Sequence, residues 1–220
     1  MNGTEFLRQL EEECLERMAG WRQRDAQRLT PDQAPQAWEK YERLRRSCWT
    51  EAWSVPVLGS WLETIPDTNL RMGVARQVAD EAKHFLRIRS LLQTEGEYQE
   101  DYAPYAEWRN VYRYIEELGD FLDRLSGHNF ASELVAIENQ KHYRHRLGGA
   151  WKDLFEEFHP DEEFHVRLGR TAIQLFANDA ASQQRVRRTV FKVLDLHERS
   201  RQAFNRLAAE HAAAEPATRL

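Results

Sequence analysis

Six residues of this chain have the types and the spacing to hold metal ions. Glu51 stands 30 residues before Glu81, and Glu133 stands 29 residues before Glu162. Glu81 and Glu162 each open a Glu-x-x-His motif, closed by His84 and His165. Each is also preceded by an aspartate, giving Asp80-Glu81-Ala82-Lys83-His84 and Asp161-Glu162-Glu163-Phe164-His165. On an α-helix positions i and i+3 share a face, so the Glu and the His of one motif can reach one ion. Carboxylate with imidazole suits iron or manganese better than a thiolate-loving metal. A lone Glu-x-x-His is a weak signal, and three occur here. Glu156 and His159 form the third, but they point off the Glu162 stripe and read as surface. The repeated aspartate and the matched intervals single out the other two.

The stripes on which these residues fall strengthen the reading. Hydrophobic positions recur with a period of 3.5–3.6 almost throughout, and strand signals are nearly absent, so the fold class is all-α. Leu7, Leu10, Cys14, Met18 and Trp21 mark a helix near 4–28, ended by Thr30-Pro31-Asp32 and Pro35. Tyr41, Leu44, Cys48, Glu51, Val55, Leu58 and Leu62 mark a second over about 36–64, closed by Pro66-Asp67. Leu70, Val74, Gln77, Glu81, His84, Ile88 and Leu91 mark a third over 68–94. The polar stretch Thr94–Pro104 suits a crossover.

A helix near 105–126 follows, with Tyr112, Ile115, Leu122 and Leu125. Ser126-Gly127-His128-Asn129 is expected to kink or break it. Another helix, 129–147, ends at the Gly148-Gly149 turn signal. Trp151, Phe155, Phe158, Glu162, His165, Gly169, Ala172 and Phe176 mark 150–178, where Pro160 should introduce a kink. Val186, Val190, Val193, His197, Phe204 and Leu207 mark 182–212, and the alanine-rich end should fray.

Glu51, Glu81, His84, Glu162 and His165 thus occupy places where a hydrophobic residue is expected. An ionised carboxylate in a core costs several kcal/mol unless it is compensated. No Arg or Lys falls in step with these residues. Two divalent ions would balance the four carboxylates and leave the site formally uncharged with neutral imidazoles. The turns near the midpoint of each Glu-to-Glu interval make two helical hairpins of like design. Glu138 competes with Glu133 for the fourth carboxylate, at an interval of 24 from Glu162.

Composition sets outer limits. The chain has 220 residues, enough for one domain, with a net charge of −5 that gives no electrostatic case for nucleic acid. No run of 18 apolar residues marks a membrane span, and no signal peptide is legible, so a cytoplasmic location is expected. Cys14 and Cys48 read as packed thiols. His128, His142 and His145 read as surface or turn residues, and His197 as a satisfied core histidine. The runs Arg185-Val186-Arg187-Arg188 and Tyr143-Arg144-His145-Arg146 read as solvated helix faces, and Lys83 as solvent-facing. Trp53 and Phe164, which flank ligands in sequence, are the candidates for lining a substrate pocket.

The order Glu, Asp-Glu-x-x-His, Glu, Asp-Glu-x-x-His resembles that of ferritin-like di-iron carboxylate proteins. The aspartates are most similar to those of bacterial multicomponent monooxygenases and of the ribonucleotide reductase small subunit. The resemblance covers 36–94 and 129–178. It implies a ferritin-like four-helix bundle, flanked here by the helices at 4–28 and 182–212. It also implies that Glu51, Glu81 and His84 serve one ion and that Glu133, Glu162 and His165 serve the other. Glu81 and Glu162 would bridge, Asp80 would bind the outer nitrogen of His165, and Asp161 that of His84. Ile88 stands where the reductase has its radical tyrosine. Ferritins lack the second Glu-x-x-His, and two lone cysteines cannot build a rubrerythrin-type iron domain. In size the chain is nearer to aldehyde-deformylating oxygenases and tRNA hydroxylases.

The resemblance implies two iron ions, with manganese or a mixed manganese–iron pair as alternatives. It implies an oxygen-activating oxidoreductase that uses O₂, a small organic substrate and an external electron donor. A homodimer stays open. The alternatives are a small ferroxidase or peroxidase-like protein and a non-enzymatic helical scaffold.

Overall fold

The computed structural model describes residues 1–26 and 36–214. Among them the chain is all-α, with no strand. The helices are α1 (Gly3–Ala26), α2 (Ala37–Trp61), α3 (Thr68–Thr94), α4 (Ala106–Glu116), α5 (Phe121–Leu125), α6 (Glu133–Leu147), α7 (Gly149–Phe176) and α8 (Ala180–Ala214). Among the described residues no helix is long and apolar enough to cross a membrane. The breaks expected at Thr30-Pro31-Asp32 and Pro35 lie outside the described residues, as does the end of the alanine-rich tail.

Local chemistry fixes the hairpins. A 3₁₀ turn, Leu62–Thr64, ends α2, and Asp67 caps α3 by accepting the Leu70 backbone N–H at 2.9 Å. Such a cap is worth about 1 kcal/mol. Arg71 donates to the Ile65 carbonyl at 2.7 Å and ties the turn to the helix it starts. Between α6 and α7 the backbone takes φ 66° at Gly148 and φ 51° at Gly149, a left-handed conformation that glycine adopts without a Cβ clash.

Two boundaries differ from expectation. The helix foreseen over 105–126 is split at 117–120, where Asp120 starts α5 by accepting the Leu122 N–H at 2.8 Å. Ser126-Gly127-His128-Asn129 does not break the chain. It lies in a π-helical stretch, Ser126–Ser132, that joins α5 to α6 without a break. All seven residues of that stretch are buried, and its wider turn rests on α7 at Gly169. A Cβ on Gly169 would lie 2.4 Å from the Phe130 backbone nitrogen, so only glycine permits this approach. A smaller difference lies in the core: Leu92, not Leu91, fills it at the end of α3. α7 runs on through Pro160, and α2 through Pro56.

α2 packs on α3, α3 on α7, and α7 on α6 and the π stretch; α1, α4 and α8 cover this assembly. Its interior is layered. Leu44, Cys48, Ile88, Leu92, Trp151, Leu154 and Phe158 form an apolar cluster at one end. A larger cluster, including Leu58, Val74, Phe130, Ala172 and Val190, fills the other. Each buried Leu, Ile, Val or Phe among them contributes about 1.5–3 kcal/mol of transfer free energy. Between the two clusters every core helix turns polar: Glu51 on α2, Gln77, Glu81 and His84 on α3, Glu133 on α6, Glu162 and His165 on α7.

Candidate metal centre

The polar layer brings the six sequence-predicted ligands together. One ligating atom each from Glu51, Glu81 and His84 lie within 4.8 Å of one another, and so do those of Glu81, Glu133 and His165. His84 Nδ1 is 3.7 Å from Glu51 Oε2 and 3.8 Å from Glu81 Oε2. His165 Nδ1 is 3.5 Å from Glu81 Oε1, 3.8 Å from Glu133 Oε1 and 3.7 Å from Glu162 Oε2. Glu81 therefore turns one oxygen toward each histidine.

These separations are too long for hydrogen bonds. They match ligands that share an ion, since two donors each about 2.1 Å from one metal lie roughly 3–4 Å apart. The Nδ1 atoms of His84 and His165 are buried without a hydrogen-bond partner. Buried nitrogens are seldom left so. Among the described residues no Lys or Arg pairs with any of the four glutamates, so histidines are the only cationic neighbours they have there. The donor set and its unsatisfied nitrogens fit a pair of divalent ions.

The outer nitrogens meet the aspartates crosswise. His84 Nε2 is 3.4 Å from Asp161 Oδ2, a hydrogen-bond contact, whereas His165 Nε2 faces Asp80 Oδ2 at 3.5 Å with neither atom hydrogen-bonded. Arg76 spans both aspartates, at 3.3 Å from Asp80 and 3.2 Å from Asp161, and Lys83 reaches Asp161 from the surface. Lys83 is thus half-exposed, as expected, yet paired.

Without cations the cluster stays near neutrality by redistributing protons. Burial, then the charges of Glu81 and Glu162, hold Glu51 far above the ordinary carboxylate range. Burial, Glu162 and Glu81 do the same to Glu133. Burial opposes ionisation of Glu81 and Glu162 as well, but the histidines outweigh it and hold both carboxyls low. For His165 burial disfavours the cation; Glu81, Asp80, Glu162 and Glu133 overcome that and raise it to about 10. His84 is raised in the same way against its burial, by Glu81, Glu162 and Asp161. Protonated imidazoles and glutamic acids thus stand where metal charge would be, which is the proton–metal competition expected of such a site.

Other residues fall in places that sequence reasoning missed. Gln77 donates to Glu81 Oε1 at 2.9 Å and to Glu133 Oε1 at 3.1 Å, and its own carbonyl accepts from Asn129. Its place one turn before Glu81 on the stripe was the available signal. His128 is not a surface residue. The π stretch turns it inward, where Nδ1 lies 3.6 Å from Glu133 Oε1 and burial pushes it down to about 4, so it is neutral. His197 is a core histidine, with Nε2 3.0 Å from Ser132 Oγ. The side chains of His142, Tyr143, Arg144 and His145 lie outside the described residues.

Glu133, not Glu138, faces the cluster; Glu138 accepts from Lys141 at 2.6 Å. Cys14 and Cys48 are buried free thiols, pushed up to about 12 chiefly by burial. Arg185 and Arg187 are not simply solvated: they pair with Asp120, Asp123 and Glu13.

A cavity of about 120 Å³, open to solvent at its mouth, lies between α2 and α6 beneath α4. Glu51, Glu81, Glu133 and Glu162 line it at the cluster, and Trp108, Tyr112 and Arg46 line it farther out. Trp53 and Phe164 do not line it. Trp53 donates to Glu116 at 3.4 Å and stacks on His128, while Phe164 lies under the Arg76 guanidinium at 4.0 Å. Comparison of the chain with models of known protein families, with curated proteins and with solved structures gives no match.

Proposed function

We propose that this protein is an oxygen-activating di-iron carboxylate oxidoreductase of the ferritin-like class, acting on a small organic substrate. The observation that carries the reading is Glu81: one oxygen faces His84, the other faces His165, and both imidazoles hold an unpartnered Nδ1 toward it. Glu51 and His84 would hold one ion, Glu133, Glu162 and His165 the other, with Glu81 shared. When bound, two ferrous ions would supply electrons for the reduction of O₂.

The chain's own residues do the positioning. Asp161 orients His84 from outside through Nε2, which leaves Nδ1 free to bind, and Asp80 faces His165 from the corresponding side. Gln77 holds Glu81 and Glu133 in register. The two apolar clusters close the layer on either side and leave the cavity as its opening. The cavity beside Glu51 and Glu133 gives an organic molecule access, which favours this reading over a ferroxidase that handles iron alone. Re-reduction falls to a separate electron donor, since the sequence carries no flavin or iron–sulfur motif.

The test is metal analysis of protein expressed with iron, together with anomalous scattering at the iron and manganese edges. Two ions per chain are expected in this cluster. Glu81→Ala and Glu162→Ala should each abolish stoichiometric loading; normal loading in both would refute the assignment.

A further inference from the structure

Arg46 carries a charge that the fold does not answer. It is only 8% exposed, on the face of α2 that looks into the cavity beside the metal cluster. Its guanidinium lies 3.9 Å from the Trp108 ring centroid and 5.1 Å from that of Phe204. Among the described residues its one hydrogen bond goes to the Tyr105 hydroxyl oxygen, at 2.6 Å, and its Nε is buried without a partner. Among the described residues no carboxylate pairs with it. Glu42, one turn earlier on α2, accepts instead from the Tyr102 hydroxyl at 2.7 Å. Arg43, the other arginine of the cavity wall, is bound to Glu39 at 3.1 Å.

A buried charge without a counter-ion is costly, and stacking on aromatic rings recovers only part of that cost. The neighbouring polar groups are already committed. Thr50 donates to the Arg46 carbonyl at 3.0 Å and accepts from Trp108 Nε1 at 3.1 Å. Arg46 is thus the unspent charged group of the outer cavity, as the glutamates are of its inner end.

We propose that the cavity binds a small organic monocarboxylate, its carboxylate paired with Arg46 and its other end at the glutamate–histidine cluster. One guanidinium balances one negative charge, which suits a carboxylate better than a phosphate of nearly two. Arg46 precedes Glu51 by five residues, so the two levels are about 7.5 Å apart along the helix axis. That interval takes an aromatic ring or a short aliphatic chain, and Trp108 and Tyr112 provide an apolar wall for either. The inference rests on the proposed oxidoreductase reading for what becomes of the ligand, but not for its capture.

Calorimetric titration of the full chain with benzoate, hexanoate and the two corresponding amides tests it, with metal content measured on the same samples and after chelation. At least one acid should bind with one-to-one stoichiometry and exceed its amide by more than about tenfold. Arg46→Met should remove that preference without changing metal content, and Arg46→Lys should restore part of it. Equal affinity for acid and amide in the unaltered chain, failure of both acids to bind, or a preference that survives Arg46→Met would each overturn the proposal. The acid–amide contrast needs no variant, so it decides even if Arg46→Met fails to fold. A chain that loads metal without preferring acids sinks this inference alone. One that prefers acids through Arg46 but never holds metal sinks the oxidoreductase reading alone.

Discussion

The α2–α3 half of the cluster presents Glu51, Glu81 and His84 from two regular helices joined by a capped turn. The α6–α7 half presents Glu133, Glu162 and His165, and there Glu133 follows directly on a π-helical stretch wedged against Gly169. The sequence motifs are near copies, but the surroundings are not. The second half has three carboxylates around its histidine once Glu81 reaches across, while the first has two. It also draws on Gln77 and Asn129, and it sits deeper than Glu51. A repeated ligand pattern therefore does not imply two equivalent half-sites: α3 serves both, and α2 serves one.

The largest expected effect tests that inequality. Glu81→Gln should lose both ions, because its two oxygens face different histidines. Glu51→Gln should lose or weaken one and leave about one ion per chain. Metal counts by mass spectrometry or elemental analysis separate the two. Equal loss in both variants would erase the distinction between a shared and a one-sided ligand.

The next effect concerns the backbone. A Cβ on Gly169 would meet Phe130 N at 2.4 Å and Asn129 C at 2.8 Å, atoms of a buried main chain that cannot step aside. A Cβ on Gly73 in α3 would meet Leu168 Cδ2, also at 2.4 Å, but that is the end of a flexible side chain. Gly169→Ala should cost about 2–3 kcal/mol and displace Glu133, whereas Gly73→Ala should cost about 1 kcal/mol or less. Thermal unfolding and metal affinity read both.

This contrast also marks what could be read from residue order. Five of the six candidate ligands were legible because they interrupt hydrophobic stripes, and a period of 3.6 leaves little freedom about which way they face; Glu133 rested on its interval to Glu162. The π stretch was not, since Ser126-Gly127-His128-Asn129 has the composition of a turn and π geometry leaves no periodic mark. His128 was misplaced with it. Trp53 and Phe164 were drawn in by adjacency, but each lies two positions beyond a ligand, and residues i and i+2 of a helix do not share a face. Nothing in the residue order marks Arg46; its burial depends on Trp108 and Phe204, which α4 and α8 bring from distant parts of the chain.

A third effect follows from the crowding of carboxylates around His165. In metal-free protein its pKa is about 10, against 6.5 for the unperturbed group. A cation stabilised by folding contributes fully below pH 6.5, and the contribution is lost as pH rises through about 10. Glu51 and Glu133, also raised, act with the same sign. Chelated protein should therefore lose Tm as pH rises from 6.5 toward 10, and metal-loaded protein should not share that loss, because metal then replaces the protons. His165→Gln should flatten the slope. A chelated wild-type protein whose Tm is level across the range would contradict the proton assignment.

The smallest effect distinguishes the outer supports of the two halves. Arg76 touches Asp80 and Asp161, and so stands behind both histidines, while Lys83 touches Asp161 alone and stands behind His84 only. Their side chains are 54% and 45% exposed, so water and salt screen them, and each pair is worth about 1 kcal/mol or less. Lys83→Met should lower metal affinity no more than about fivefold, and for one ion. Arg76→Met should lower it by a similar factor for both. Both differences should fade near 1 M salt, where the screening length is about 3 Å. A Lys83→Met loss that persists at high salt would mean that Lys83 acts through packing, and the comparison between Asp161 and Asp80 would then rest on shape rather than charge.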